Sequence, residues 1–133
     1  MNYQEMQKKI ADAINAFPMA FAFSNEQLNE ALVKLGAADI SECVSIGNGG
    51  LVHKRYAKKY VEMFKTLDAE MDKLMLNDEF MIEAIRYELG NHEYSYTYDP
   101  TDTVDCLDLD LNDERTKRLY IEARDEYLEN RGE

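Results

Sequence analysis

Apolar residues recur at helical spacing along most of the chain. Met6, Ile10, Ala13, Ile14 and Phe17 share one face and predict a first helix over 3–16. Pro18 lacks the N–H that a helix interior needs, and ends it. Ala20 to Phe23 is too short to classify by period and reads as a short buried strand or an apolar corner. Ser24 with Gln27 three positions later has the spacing of a capping box. Leu28, Ala31, Leu32 and Leu35 then fall at i, i+3, i+4 and i+7. Gly36 stands where the left-handed residue after a helix is expected, so this stretch predicts a second helix.

The pattern changes at Cys43. Cys43 to Ile46, then Gly47-Asn48-Gly49-Gly50, then Leu51 to His53 reads as a β-hairpin. Asn and Gly supply the positive φ that its turn demands. Two strands alone are marginal in water, so the pair must pack on helices or gain a third strand. Helical spacing returns with Tyr56, Tyr60, Met63, Phe64, Leu67, Met71, Leu74 and Met75, which predict a long helix over 55–76. Asn77 caps the next one, over 78–89, with Asp78 and Glu79 in its first turn and Gly90 at its end. Tyr94, Tyr96 and Tyr98 alternate as on one face of a strand, or sit in an irregular turn. Asp99-Pro100-Thr101-Asp102 is a helix start, with Val104 and Leu107 facing inward. Asn112 is expected to cap a last helix over 113–130, where Leu119, Ala123 and Tyr127 share a stripe. The fold class expected is α+β: a mainly helical single domain, 1–133, with a small antiparallel hairpin or three-stranded sheet.

Length and composition fit this expectation. A chain of 133 residues with 45% hydrophobic and 32% charged residues can bury a core without staples. The longest apolar run, Phe17 to Phe23, is far short of the roughly 20 residues of a membrane span. The opening residues carry no basic and apolar leader, so a cytoplasmic protein is expected. Cys43 and Cys106, with no C-x-x-C, are expected to be reduced, buried small apolar groups.

Charge changes the functional picture. The formal net charge is -12, yet residues 1–67 hold seven acids and eight bases, whereas residues 68–133 hold 20 acids and seven bases. From Asp99 to Glu114 there are seven acids and no base. Such a chain repels nucleic acid and anionic lipid, since binding DNA requires Lys and Arg to neutralise phosphates. No direct nucleic-acid or membrane partner is expected; a protein with a basic surface is. Asp99, Asp102, Asp105 and Asp108 recur every third residue, and three residues of helix advance about 4.5 Å. That step is of the same order as the phosphate spacing along a DNA strand. A basic groove can hold such a row through Arg–carboxylate pairs. The bland alternative is a solvated loop whose acids cap two helices. Lys54, Arg55, Lys58 and Lys59 form the one basic cluster, and two copies pairing basic to acidic patch would make a homodimer.

Motifs for chemistry are incomplete. His92-Glu93 lacks the second His of a zincin helix, because position 96 is Tyr. With His53 and His92 the only histidines, zinc would need carboxylates or cysteines to complete its shell. Asn91, His92 and Tyr94 read better as partners for backbone left open at the helix end. Asp108, Asp110 and Asn112 have the opening spacing of a calcium loop, but position six is Asp113 and position twelve Leu119. Cys43 and His53 on opposing hairpin strands lack a third orienting group. No catalytic residue, metal or cofactor is expected.

Four segments carry a resemblance. They are Phe21 to Gln27 with Leu35-Gly36, Ser45 to Gly50, Tyr87 to Tyr94, and Asp102 to Leu107. In this order they resemble a family of small uncharacterised proteins carried by phages, plasmids and conjugative elements of gut Firmicutes. The likeness covers about residues 17–110. In the relatives a Gly follows the Leu107 position, where this chain has Asp108. The resemblance implies a mobile-element setting and brings no activity or catalytic residue. Small acidic proteins of such elements often inhibit host defence, as anti-CRISPR proteins do. The function expected is therefore a non-enzymatic acidic protein that inhibits a nucleic-acid-handling host protein by mimicry. Asp99, Asp102, Asp105, Asp108, Asp110 and Asp113 would make the contact, with Tyr94, Tyr96 and Tyr98 as apolar anchors. The second reading is a structural or regulatory homo-oligomer with no nucleic-acid-related target, and the third a small enzyme using Cys43 and His53.

Overall fold

The computed structural model describes residues 1–130. Its elements run α1 (Tyr3–Ala16), β1 (Ala20–Phe21), α2 (Asn25–Leu35), a 3-10 turn (Ile40–Glu42), β2 (Cys43–Gly47), β3 (Gly50–His53), α3 (Lys54–Leu74), α4 (Asp78–Asn91), α5 (Tyr94–Thr97), α6 (Thr101–Cys106) and α7 (Glu114–Asn130). It is an α+β fold, mainly helical, with one small antiparallel sheet among the described residues. The chain divides into two compact units, Gln7–Ala69 and Met1–Met6 with Glu70–Glu133.

In the unit Gln7–Ala69 the hairpin forms as its turn residues require. Asn48 and Gly49 take φ of 51° and 78°, the left-handed pair that a two-residue hairpin needs. The missing third strand is β1, which pairs with β3 and gives the order β1-β3-β2. It sits close to the turn: Ala22 N–H donates to Gly49 O at 2.9 Å. A Cβ on Gly49 would lie 3.0 Å from the Ala22 carbonyl oxygen and 2.7 Å from the Phe23 ring, and with φ at 78° the position favours glycine. Ser24 caps α2 by accepting from Gln27 N at 3.2 Å, and Gln27 Oε1 in turn accepts from Phe23 N at 2.8 Å. Gly36, at φ 69°, closes α2, with Ala37 N–H reaching back to Leu32 O. Ala20, Ala31, Leu35 and Leu51 make the core here. Phe17 meets Tyr56 and Tyr60 edge-on.

The other unit is built on α4 packed along α7. Met81, Ile85 and Leu89 of α4 meet Leu119, Tyr120, Ala123 and Tyr127 of α7, as the apolar stripe of the last helix requires. Asn77 Oδ1 caps α4 by accepting from Phe80 N at 3.0 Å. Three details differ from the expected ones. The alternating tyrosines form the single-turn helix α5, with Glu93 and Tyr98 left-handed at its two ends; Tyr94 alone turns inward, packing edge-on against Tyr98 and Tyr127. Asp113, not Asn112, caps α7, because its carboxylate accepts from both Thr116 N (3.0 Å) and Thr116 Oγ1 (2.9 Å). In α6 the fully buried residue is Thr103, while Val104 and Leu107 are half-buried.

Candidate functional sites

The acidic segment is held by leucines. Between α6 and α7 the chain alternates: Leu107, Leu109 and Leu111 are half-buried against the α4–α7 core, whereas Asp108, Asp110 and Asn112 are exposed. Asp108 takes φ 51° just beyond α6, the place where relatives were expected to carry glycine. Asp tolerates the left-handed region better than most residues, so the helix still closes, with Leu109 N–H donating to Val104 O at 3.0 Å. Asp99, Asp102, Asp105, Asp108, Asp110 and Asp113 are all exposed. None of the six has an ion pair with Lys or Arg among the described residues.

The regular step of one carboxylate per three residues survives only for Asp102 and Asp105, since α6 covers no other member of the row. Asp99 precedes the helix and accepts from Thr101 N and Oγ1, contacts that hold its carboxyl below the usual range. Asp108, Asp110 and Asp113 instead line one groove of about 370 Å³ together with Asp72, over a floor that includes Met75, Met81, Leu107 and Leu109. The backbone N–H of Thr116, then its hydroxyl, draws the Asp113 carboxyl down as well. Tyr96 and Tyr98 are 77% and 61% exposed beside Asp99, while Tyr94 is 7% exposed and belongs to the core, not to a contact surface.

A second cluster was not foreseen. Asn2 and Glu5 form a reciprocal capping box at the start of α1, Glu5 N to Asn2 Oδ1 at 2.8 Å and Asn2 N to Glu5 Oε1 at 2.9 Å. That fixes Tyr3 at the first helical position, with its ring between Phe80 and Tyr87. Its hydroxyl donates to Glu88 Oε1 at 2.8 Å. The carboxylate of Glu88 is 2% exposed as a residue, and its other oxygen, Oε2, faces His92 Nε2 at 3.1 Å, Cys106 Sγ at 3.4 Å and Asn91 Nδ2 at 3.4 Å. Helix α4 runs one residue past Gly90, so Glu88 and His92 stand four apart on one face. Asn91 and His92 thus direct their side chains to a buried carboxylate rather than to open backbone. Cys106, expected to be buried, is an exposed residue whose sulfur turns toward Glu88. Partial burial of that sulfur, followed by the Glu88 charge, pushes its thiol up to about 11. The spacing of Glu88 and His92 was readable as a helical pair; the arrival of Tyr3 and Cys106 is tertiary.

Cys43 stands opposite His53 in the ladder, as expected. His53 Nδ1 accepts from Arg55 N at 3.2 Å, and burial, then Glu42, raises the Cys43 thiol. Both cysteines are free.

A model of a protein family of unknown function, DUF7659, matches residues 2–126. The chain belongs to that family. No curated protein and no solved structure matches it. No described helix of this DUF7659 member is long and apolar enough to cross a membrane.

Proposed function

We propose that this DUF7659 protein is a non-enzymatic binding protein that presents residues 99–113 to a basic surface on a nucleic-acid-handling partner. The observation that carries this reading is the state of the six aspartates: all are exposed and none is in an ion pair with Lys or Arg among the described residues, and Leu107, Leu109 and Leu111 turn Asp108 and Asp110 outward. An unpaired carboxylate at the surface loses little by meeting an arginine, because no existing pair must break. The leucine-floored groove lined by Asp72, Asp108, Asp110 and Asp113 adds an apolar bed beneath the charges, and Tyr96 and Tyr98 flank the other end. Charge supports the same assignment: the unit that bears the segment holds 20 acids and seven bases. In the mobile-element setting implied by the resemblance, the partner is a host defence factor such as a CRISPR effector, and the outcome is exclusion of its nucleic acid.

The test is capture from a host lysate on the immobilised full chain, eluted by a salt gradient. A nucleic-acid-handling protein should elute with salt, and the triple variant Asp102→Asn, Asp105→Asn, Asp108→Asn should not retain it. Retention by the triple variant, or capture only of proteins indifferent to salt, would remove the proposal. A second copy is the competing partner, because Lys54, Lys58 and Lys59 are exposed on α3. Light scattering at low and at about 1 M salt separates that case, since charge pairing is screened there within about 3 Å.

A further inference from the structure

The geometry points to a transition-metal site, best suited to Zn²⁺, formed by Glu88 Oε2, His92 Nε2 and Cys106 Sγ. These three atoms all lie within 4.8 Å of one another. For zinc bound tetrahedrally at ordinary Zn–N, Zn–O and Zn–S lengths, donor atoms stand about 3.3–3.6 Å apart. The 3.1 Å separation of Glu88 from His92 and the 3.4 Å separation of Glu88 from Cys106 are within a few tenths of an ångström of that. The third pair, His92 Nε2 and Cys106 Sγ, lies within 4.8 Å, so binding an ion requires side-chain rotations that bring all three separations to the tetrahedral value.

The surroundings are those of a ligand set rather than of a chance surface cluster. Glu88 has a side chain only 3% exposed, and its carboxylate is met there by Tyr3, Asn91, His92 and Cys106, a polar pocket in the interior rather than on the surface. Its two oxygens divide the work. Oε1 is held by the Tyr3 hydroxyl at 2.8 Å, and Oε2 faces His92 and Cys106, with Asn91 Nδ2 also at 3.4 Å. A hydrogen bond to the far oxygen of a ligating carboxylate is how metal sites orient their ligands. The donor types choose the ion: a thiolate and an imidazole with one carboxylate favour zinc or cobalt over magnesium or calcium, which take oxygen. Three protein ligands leave one tetrahedral position for water, and His92 and Cys106 are both open to solvent in part. The site joins the last turn of α4 to the last residue of α6, so a bound ion would clamp the acidic segment at its helical end.

The experiment uses the purified full chain, stripped with a chelator and kept in a thiol-free reductant. Zn²⁺ alone is titrated calorimetrically, and Co²⁺ alone is followed by absorption. One equivalent should bind, and cobalt should give a near-ultraviolet thiolate-to-metal band with visible bands of tetrahedral intensity. Cys106→Ser should abolish the near-ultraviolet band, whereas Cys43→Ser should leave it intact. Tyr3→Phe should weaken Zn²⁺ binding about 10- to 100-fold. X-ray absorption of the zinc-loaded unmodified chain guards against a variant that misfolds: it should show one sulfur among nitrogen and oxygen neighbours. Absence of saturable binding, a zinc shell without sulfur, or a cobalt band that persists in Cys106→Ser would each overturn the site.

Discussion

The Tyr3 hydroxyl donates to Glu88 Oε1 at 2.8 Å across 85 positions of sequence. A hydrogen bond to a buried charged group is worth about 1.5–3 kcal/mol, so Tyr3→Phe should lower stability by about that much while leaving the ring contacts with Phe80 and Tyr87 in place. Urea denaturation with both chains free of metal would measure it. A loss below about 0.5 kcal/mol would mean that Glu88 is satisfied by its other partners.

Metal-free Cys106 should react slowly with iodoacetamide in spite of its exposure. With its thiol pushed up to about 11, only the thiolate formed well above neutral pH is nucleophilic. The rate should climb steadily from pH 7 toward that value, and Glu88→Gln should speed it at neutral pH by removing the neighbouring charge. Mass-resolved alkylation separates Cys106 from Cys43.

Asp113 sets a pH-dependent cap on α7. Its folded-state carboxyl lies below the ordinary value of 3.8, chiefly because Thr116 N–H donates to it. Its contribution is therefore present above that ordinary value and is lost as pH falls through the lower, folded one. Asp113→Ala should destabilise the protein at pH 7. The gap between variant and parent should narrow as acid protonates the cap, and the thermal midpoints at a series of pH values would show it.

Much of this architecture is legible in the residues, because the signals are local. Ser24 with Gln27, Gly36, Asn77, and the Asn48-Gly49 turn each act within a few positions, and each is found where the pattern puts it. Failures begin where the chain must choose between two local donors or acceptors. Asp113 outcompetes Asn112 as the α7 cap because a carboxylate can accept from both the backbone and the hydroxyl of Thr116 at the positive end of the helix. The tyrosine alternation mimics a strand, yet the stretch closes into one helical turn between the left-handed residues Glu93 and Tyr98. The acidic segment is visible from composition alone. The Glu88 cluster is half visible, as a pair four apart, and its remaining members come from α1 and α6.

Gly36→Ala should cost about 1–2 kcal/mol, since its φ of 69° suits glycine and a Cβ there would meet the Arg55 guanidinium at 3.2 Å. The same conformational logic separates two changes at Asp108, whose φ is 51°. Asn should be accepted at that position, whereas the β-branched Val should lower the melting temperature. Calorimetry on the three variants would check both statements.

The alternation from Leu107 to Asn112 has an evolutionary consequence. Deleting or inserting one residue there would swap inside for outside, driving aspartates under the α4–α7 interface and leucines into water. Homologous chains should therefore be free to change the letters of this connection but not its length.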